Sequence, residues 1–217
     1  MTKTGEAARP TPTIEPETLG ETWVLYQKQI ITVAIVLAAG AGGFYLWKRS
    51  GQIKEEKAAS AFMAAEAAFM SGNKPLAQTE LEKIVTRYKG TTSGTQAAML
   101  MAQALFEQGK HAEGITQLEG ALGGAPTSLK AGIQALIAAG HEGAGQAADA
   151  AAAYGKAAAA SEFPIDRDMY KMEQARVLGT SGDAAGAKAI YEEIGGREDS
   201  PFAGEARVRL GEVKAKS

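Results

Sequence analysis

The sequence contains no cysteine among its 217 residues. Disulfide bridges, thiol nucleophiles and cysteine metal sites are therefore excluded, and cysteine usage leaves the compartment undecided. Aromatic residues make up only 6% of the chain, whereas alanine and glycine dominate its apolar residues. Small side chains over such a length favour closely packed helices over a core built on a sheet.

Neither charge is in excess, because 23 lysines and arginines face 25 acidic residues, for a net charge of -2. A nucleic-acid-binding protein would be expected to carry a clustered basic face. The balance predicts no nucleic-acid partner, and no generally acidic or basic partner either.

Large apolar residues are scarce at the N-terminus, where Pro10, Pro12 and Pro16 interrupt the chain. Such a segment cannot bury enough apolar surface to fold. We predict a disordered tail over residues 1–22.

One uncharged run follows, IITVAIVLAAGAGGFYLW at residues 30–47. As a helix it would be roughly 27 Å long, close to the ~30 Å hydrocarbon core of a bilayer. Trp23 and Tyr26 precede the run, and Tyr45 and Trp47 end it, as aromatic residues do at membrane interfaces. We predict a single transmembrane helix with interfacial flanks over residues 23–50.

A cleaved signal peptide is the competing interpretation, since Ala39 and Ala41 imitate a small-x-small cleavage site. The region before the run is acidic, however, and the apolar run continues beyond that site. Both observations favour an anchor embedded in the lipid bilayer.

Small residues form two pairs within this run, Ala38 with Gly42 and Ala39 with Gly43. Such pairs lie on one helix face and let another membrane helix approach closely. The alternative, that small residues are merely tolerated in lipid, stays open. The first interpretation predicts membrane-protein partners.

Four glycines, Gly72, Gly109, Gly145 and Gly182, recur at spacings of 37, 36 and 37 residues. Each lies between two helix-compatible apolar stretches, which indicates the turn of a helix hairpin. Three further positions keep their size in every copy. Alanine precedes each glycine by seven (Ala65, Ala102, Ala138, Ala175), a small residue follows by five (Ala77, Gly114, Ala150, Ala187), and a large residue follows by nine (Leu81, Leu118, Tyr154, Tyr191).

Hairpins of this kind must stack to bury their apolar faces. We therefore predict an all-α chain in which the single transmembrane helix is followed, over residues 51–217, by about four hairpins and a C-terminal capping helix. The pattern resembles tetratricopeptide repeats, with Pro126, Pro164 and Pro201 near the repeat ends. That resemblance covers roughly residues 54–200 and implies an α-solenoid.

The order of parts is also similar to the YfgM-like ancillary subunits of the bacterial Sec translocon. The shared features are a short N-terminal segment, one membrane helix ending in an aromatic and basic cluster, and alanine-rich repeats. The cluster comprises Phe44, Tyr45, Trp47, Lys48 and Arg49. The resemblance implies an anchor in the bacterial inner membrane, a periplasmic repeat domain, and work with the translocon and periplasmic chaperones.

No catalytic set is evident. His111 and His141 occupy repeat positions where the family often has an aromatic residue, and the acidic residues Glu162, Asp166 and Asp168 are interpreted as a solvated loop between repeats. We predict a protein that is not an enzyme, with no cofactor, no metal and no small-molecule substrate.

Binding of other proteins is the expectation instead. In the family, the first helix of each hairpin lines the concave surface, which the resemblance carries over as a partner-binding groove. Its candidate residues are Phe62, Glu66, Phe69, Met70, Met99, Gln103, Phe106, Glu107, Met172 and Arg176. Phenylalanine and methionine suit an adaptable groove. The alternative, that these side chains pack between helices, stays open.

The side of the membrane is not fixed by the flanking charges. Lys28 stands before the anchor and a basic cluster after it, which would keep the repeats in the cytoplasm (Lys48, Arg49, Lys54, Lys57). The family resemblance implies the periplasm, which we prefer slightly. The predicted function is a membrane-anchored interaction module that assists translocon- or chaperone-linked maturation of exported or membrane proteins. The alternative is an accessory subunit of a large respiratory or photosynthetic membrane complex.

Overall fold

The computed structural model describes residues 17–216, with side chains from residue 26 to residue 215. Every regular element in this range is an α-helix, so the all-α prediction is confirmed. The helices are α1 (Glu17–Met70), α2 (Lys74–Arg87), α3 (Thr92–Glu107), α4 (His111–Leu122), α5 (Thr127–Gly143), α6 (Ala147–Ala160), α7 (Pro164–Ser181), α8 (Ala184–Gly195) and α9 (Ala203–Lys216).

The chain divides into two compact units, Met1–Ser50 and Gly51–Ser217. In the first unit, the large apolar side chains of α1 are exposed, with Trp47 73% accessible. Among the described residues, α1 is the one helix long and apolar enough to cross a membrane. Of the predicted disordered tail, residues 1–16 lie outside the described range and residues 17–22 belong to α1. The helix therefore begins earlier than predicted.

The second unit is a row of antiparallel hairpins in which each helix packs on the next. The end of α1 packs against α2 through Ala65, Leu81 and Ile84. Helix α3 pairs with α4, α5 with α6 and α7 with α8, while α9 covers the last hairpin. The predicted solenoid of four hairpins and a capping helix is confirmed.

The turns within the hairpins follow one geometry. Gly72, Gly109, Gly145 and Gly182 all have positive φ, between 72° and 98°. The amide after each glycine donates to the carbonyl five residues earlier, as Asn73 does to Ala68 at 3.0 Å and Asp183 to Leu178 at 2.9 Å. This bond satisfies a carbonyl at the helix end, and the left-handed conformation favours glycine because it has no Cβ.

The small and large positions of the repeat are buried as predicted. The four alanines before the turns are fully buried, the small residues after them are equally enclosed, and so are Leu81, Leu118, Tyr154 and Tyr191. Each hairpin thus buries alanine or glycine at matched positions on its two helices, with a large buried side chain nine residues after each turn.

Gly114 shows how close one of these approaches is. A Cβ at this position would lie 2.4 Å from Phe106 Cε1 and 3.1 Å from the carbonyl oxygen of Ala102, both on α3. On the exposed side of the same helix α4, a Cβ at Gly120 would meet no atom within 4 Å. Gly114 faces α3 closely, whereas Gly120 faces open space, so the two positions form a matched pair for substitution.

The first two hairpins are tied together by Glu55 on α1. Its carboxylate accepts hydrogen bonds from the amide of Thr92 at 2.6 Å, the amide of Ser93 at 2.9 Å and the hydroxyl of Ser93 at 2.7 Å. An anion at the N-terminus of α3 is favoured by the helix dipole. Burial raises the pKa of Glu55, but the hydrogen bonds from Ser93 and Thr92 outweigh burial and hold the pKa below its ordinary value.

Replacement of Gly114 by alanine is expected to destabilise the repeat unit by about 1–3 kcal/mol, because the added methyl group overpacks the contact with α3. Gly120→Ala on the same helix is the control and is expected to be stabilising by up to about 1 kcal/mol, since alanine favours a helix. Urea unfolding followed by circular dichroism measures both. Equal effects of the two substitutions would contradict the close approach.

Glu55→Gln is expected to lower the free energy of unfolding by about 1 kcal/mol near pH 7, because a charge-assisted cap is lost. The pKa of Glu55 is lower in the folded state. Its contribution is therefore present above the ordinary pKa of glutamate and lost as the pH falls through the lowered value. Urea unfolding should thus show the variant and wild type converging below about pH 4. Glu56→Gln, on the exposed neighbour, should show no such difference at any pH.

Candidate partner-binding surface

The predicted groove residues fall into two groups. Glu66, Met70, Gln103, Glu107 and Arg176 are exposed, and Met70 is 79% accessible. Phe62, Phe69, Met99 and Phe106 are partly buried, and Met172 is buried. The structure therefore offers an accessible surface that is more polar than the predicted groove.

Phe106 shows why the second group is enclosed. Its ring lies so close to Gly114 and Gly140 that a Cβ at either would come within 3 Å of it, and it stacks on His111 at 5.7 Å between centroids. The ring thus fills the space between the second and third hairpins. The contacts of Phe106 favour the packing interpretation, and its role in a groove stays a prediction.

Three other candidates also pack into the repeat unit. Phe62 lies against the core of the first two hairpins, Met99 against the central core, and Met172 is part of the core beneath α9. The reason is geometric, because the first helix of each hairpin faces both the concave surface and a neighbouring hairpin. Large apolar residues on it are drawn to the second contact.

Arg176 is the centre of an ion-pair network between the third and fourth hairpins. Its Nη2 atom donates to both oxygens of Glu142, at 2.9 and 2.7 Å, and its Nε atom donates to Glu173 at 2.7 Å. Tyr154 donates to Glu142 at 2.8 Å. The network holds the guanidinium at the surface of α7 in one position.

The titration of this network follows from its contacts. Burial and the hydrogen bond to Glu142 both raise the pKa of Tyr154. Burial alone would lower the pKa of Arg176, but its hydrogen bonds to Glu142 and Glu173 raise it overall. Both side chains therefore keep their protons at any physiological pH. The network is a set of ion pairs and hydrogen bonds that joins the third hairpin to the fourth.

The small residues of the first unit are accessible. A Cβ at Gly42 or Gly43 would meet no atom within 4 Å, and Ala38 and Ala39 are exposed on the same stretch of α1. No described residue of this unit covers that stretch. Its role as a helix-packing face stays a prediction.

The acidic segment Glu162 to Asp168 differs from the predicted solvated loop. Pro164 begins α7, and the side chain of Asp168 is only 1% exposed. Asp168 accepts from Arg197 Nη1 at 2.8 Å and from the Ser200 hydroxyl at 2.7 Å, both in the loop before α9. Asp168 therefore attaches the loop before the capping helix α9 to α7. Sequence reasoning missed this role because the partners lie about thirty residues away.

These acidic residues do not assemble a metal site. Within the described residues, no group of three or more histidine, aspartate or glutamate side chains is arranged to hold a metal ion. His141 instead makes a 2.8 Å contact between its Nδ1 atom and Gln146 Oε1 beside the third turn. His141 and Asp168 are thus engaged in contacts within and between hairpins.

Comparison with known proteins identifies the family. Residues 21–164 match the model of the tetratricopeptide repeat-like domain, more than half of the chain, and the protein belongs to this family. The match begins before the apolar run and ends at the first residue of α7. Tetratricopeptide-like repeats are protein–protein interaction modules and are typically not catalytic.

Solved structures agree on the fold. The nearly identical TPR-like repeats of a putative kinesin light chain from Podosopora anserina have 18% identity and a TM-score of 0.56, with 73% of this chain and 86% of that chain covered. A variant of the same protein, with one glutamine replaced by methionine, gives the same identity and TM-score, with 85% of its chain covered. At this identity the likeness shows the solenoid alone. No curated protein matches the chain.

Asp168→Asn is expected to destabilise the repeat unit by about 2 kcal/mol, because the substitution leaves Arg197 without its buried partner charge. Asp166→Asn, in the first turn of the same helix, should lower stability by only about 0.5 kcal/mol through the helix dipole. Thermal unfolding of both variants makes the comparison. A loss at position 166 as large as at 168 would show that Asp168 is not the tie to the cap.

Proposed function

We propose that this protein is a membrane-anchored, non-catalytic interaction module that assists maturation of exported or membrane proteins at the translocon. The observation that carries the proposal is the combination, in one chain, of interaction repeats with an apolar helical segment that is exposed along its length. Each part has its own support.

The anchor is supported by exposure. The large apolar side chains between Ile30 and Trp47 are 45% to 73% accessible, and the run contains no charge. An exposed apolar surface of this extent is not stable in water, and its helical length suits the hydrocarbon core of a bilayer. The family match also includes this segment, since it starts at residue 21.

The interaction role follows from the repeats and from what their surface presents. Gln103 and Glu107 on α3 and Arg176 on α7 are exposed first-helix residues, and Met70 is a large exposed apolar residue at the end of α1. Similarity to the YfgM-like subunits supports translocon subunits and periplasmic chaperones as partners. On this proposal the repeats lie on the periplasmic side of a bacterial inner membrane.

A second candidate function is that of an accessory subunit in a large respiratory or photosynthetic membrane complex. The open stretch of small residues at Ala38, Ala39, Gly42 and Gly43 favours it, because close helix packing in lipid is how such subunits are held. The two functions differ in which part of the chain makes the main contact.

Site-specific photocrosslinking in native membranes tests the proposal. A photoreactive residue at Gln103 should capture translocon or periplasmic chaperone subunits, because this side chain is exposed on the first helix of a hairpin. The same probe at Glu82, exposed on the second helix α2, is the matched control and should capture far less. Captured proteins are identified by mass spectrometry.

Capture of neither partner class from Gln103 would refute the proposal. If a probe at Gly42 instead yields one respiratory or photosynthetic complex in constant ratio, the accessory-subunit function is correct. Protease added to spheroplasts should digest the repeats, and protection would place them in the cytoplasm.

A further inference from the structure

The repeat unit has one edge at which the chain arrives from the apolar segment. The unit begins at Gly51. Three residues later, Lys54 Nζ donates to the carbonyl of Lys89, in the loop between α2 and α3, at 3.0 Å. Residues 54–57 of α1 and residues 87–91 therefore lie together where the unit begins.

Four exposed cations are concentrated at this place, which we call the basic corner: Lys54, Lys57, Arg87 and Lys89. Within residues 26–215, none of the four has a carboxylate within ion-pair distance. Cations of the last hairpin and the cap are instead paired with acidic side chains, as at Lys171, Arg176, Arg197 and Arg209. The positive charge of the basic corner is therefore available to a partner.

The charge changes sign along the edge of the unit. The loops that join one hairpin to the next share this edge, because successive helices alternate in direction. Residues 54–57 and 87–91 hold four cations and two glutamates, a net charge of +2 by subtraction. Residues 123–126 are uncharged, and residues 161–168 and 196–202 hold two arginines and five acidic residues, a net charge of -3. An anionic surface would thus attract only the end of the edge that carries the basic corner.

Membrane insertion alone does not account for these cations. The positive-inside rule counts cations within about 20 residues of a transmembrane end, whereas Arg87 and Lys89 follow Trp47 by 40 and 42 residues. They come beside Lys54 only through folding of the first hairpin. A bilayer around the anchor is within reach, since Lys54 follows Trp47 by seven residues, at most about 25 Å of extended chain.

We propose that the basic corner binds anionic phospholipid headgroups of the bilayer that holds the anchor. Lipid phosphates lie against the four cations, and the acidic loops of the last hairpin lie farther from the lipid surface. Each lysine or arginine near an anionic surface strengthens such an attraction about fivefold. The inference rests on the proposed membrane anchor and adds a lipid contact made by the repeat unit itself.

Fluorescence quenching with the full chain in lipid nanodiscs tests the inference. Because the chain has no cysteine, one introduced cysteine carries the fluorophore. Gly123→Cys places the label at the loop edge, where a Cβ would meet no atom within 4 Å, and Met70→Cys places it at the opposite, exposed edge. The quencher is a nitroxide on the lipid headgroup.

The label at position 123 should be quenched more in discs that contain phosphatidylglycerol than in discs of phosphatidylcholine alone. The excess should disappear at about 1 M salt, where charges are screened beyond ~3 Å. The label at position 70 should show no difference between the two lipid compositions.

Two double variants separate the basic corner from net charge. Arg87→Gln with Lys89→Gln should lower the ratio of docked to undocked repeat units about tenfold or more, and the excess quenching with it. Lys74→Gln with Lys110→Gln removes the same charge at the opposite edge and should leave the quenching unchanged. Circular dichroism of both should match the wild type, since all four side chains are exposed.

Equal quenching of the position-123 label in the two lipid compositions, excess quenching that survives high salt, or equal losses in the two double variants would each overturn the inference. Arg87→Lys keeps the charge and should keep the wild-type quenching, so a loss in this variant would also contradict binding through charge. Co-elution of the chain with the discs reports the anchor by itself. The discs contain no translocon or chaperone, so photocrosslinking from Gln103 tests the proposed function separately.

Discussion

The close approach of paired helices at alanine and glycine is the constraint on which the repeat unit depends. Ala102 and Gly114 bring α3 and α4 so near that no methyl group fits at the second position. Such contacts bury little area per residue, so a single hairpin gains little from them. The stack is stable because each hairpin also packs on its neighbours, and the large residue nine positions after each turn fills the remaining space.

A core of alanine specifies register weakly, and polar ties between successive hairpins supply it. Glu55 joins the first hairpin to the second, Arg176 and Glu142 join the third to the fourth, and Asp168 joins the fourth to the capping helix. Between the second and third hairpins, Phe106 does the same by packing against Gly140. The polar groups in these contacts would lose their hydrogen bonds if neighbouring hairpins shifted relative to each other, so the contacts favour one register.

Packing between hairpins also determines which side chains are available to partners. Most of the phenylalanine and methionine side chains on the first helices pack between hairpins, so polar side chains make up most of the first-helix surface that is exposed. The apolar helix of the first unit has the opposite character, since its side chains have no cover among the described residues. The proposed interaction module with a bilayer anchor accounts for both features, because the polar repeat surface then faces water and the apolar helix faces lipid.

The sequence by itself determined the hairpin turns, the buried small positions and the apolar run. These depend on local rules: positive φ favours glycine, and a bilayer requires an uncharged run of a certain length. Only the tertiary structure decided that Phe106 packs between two hairpins, that Met172 is buried in the core and that Asp168 is buried against the loop before α9. Those outcomes depend on contacts between side chains that are about thirty residues apart in the sequence. The periodicity of the sequence does not specify such contacts.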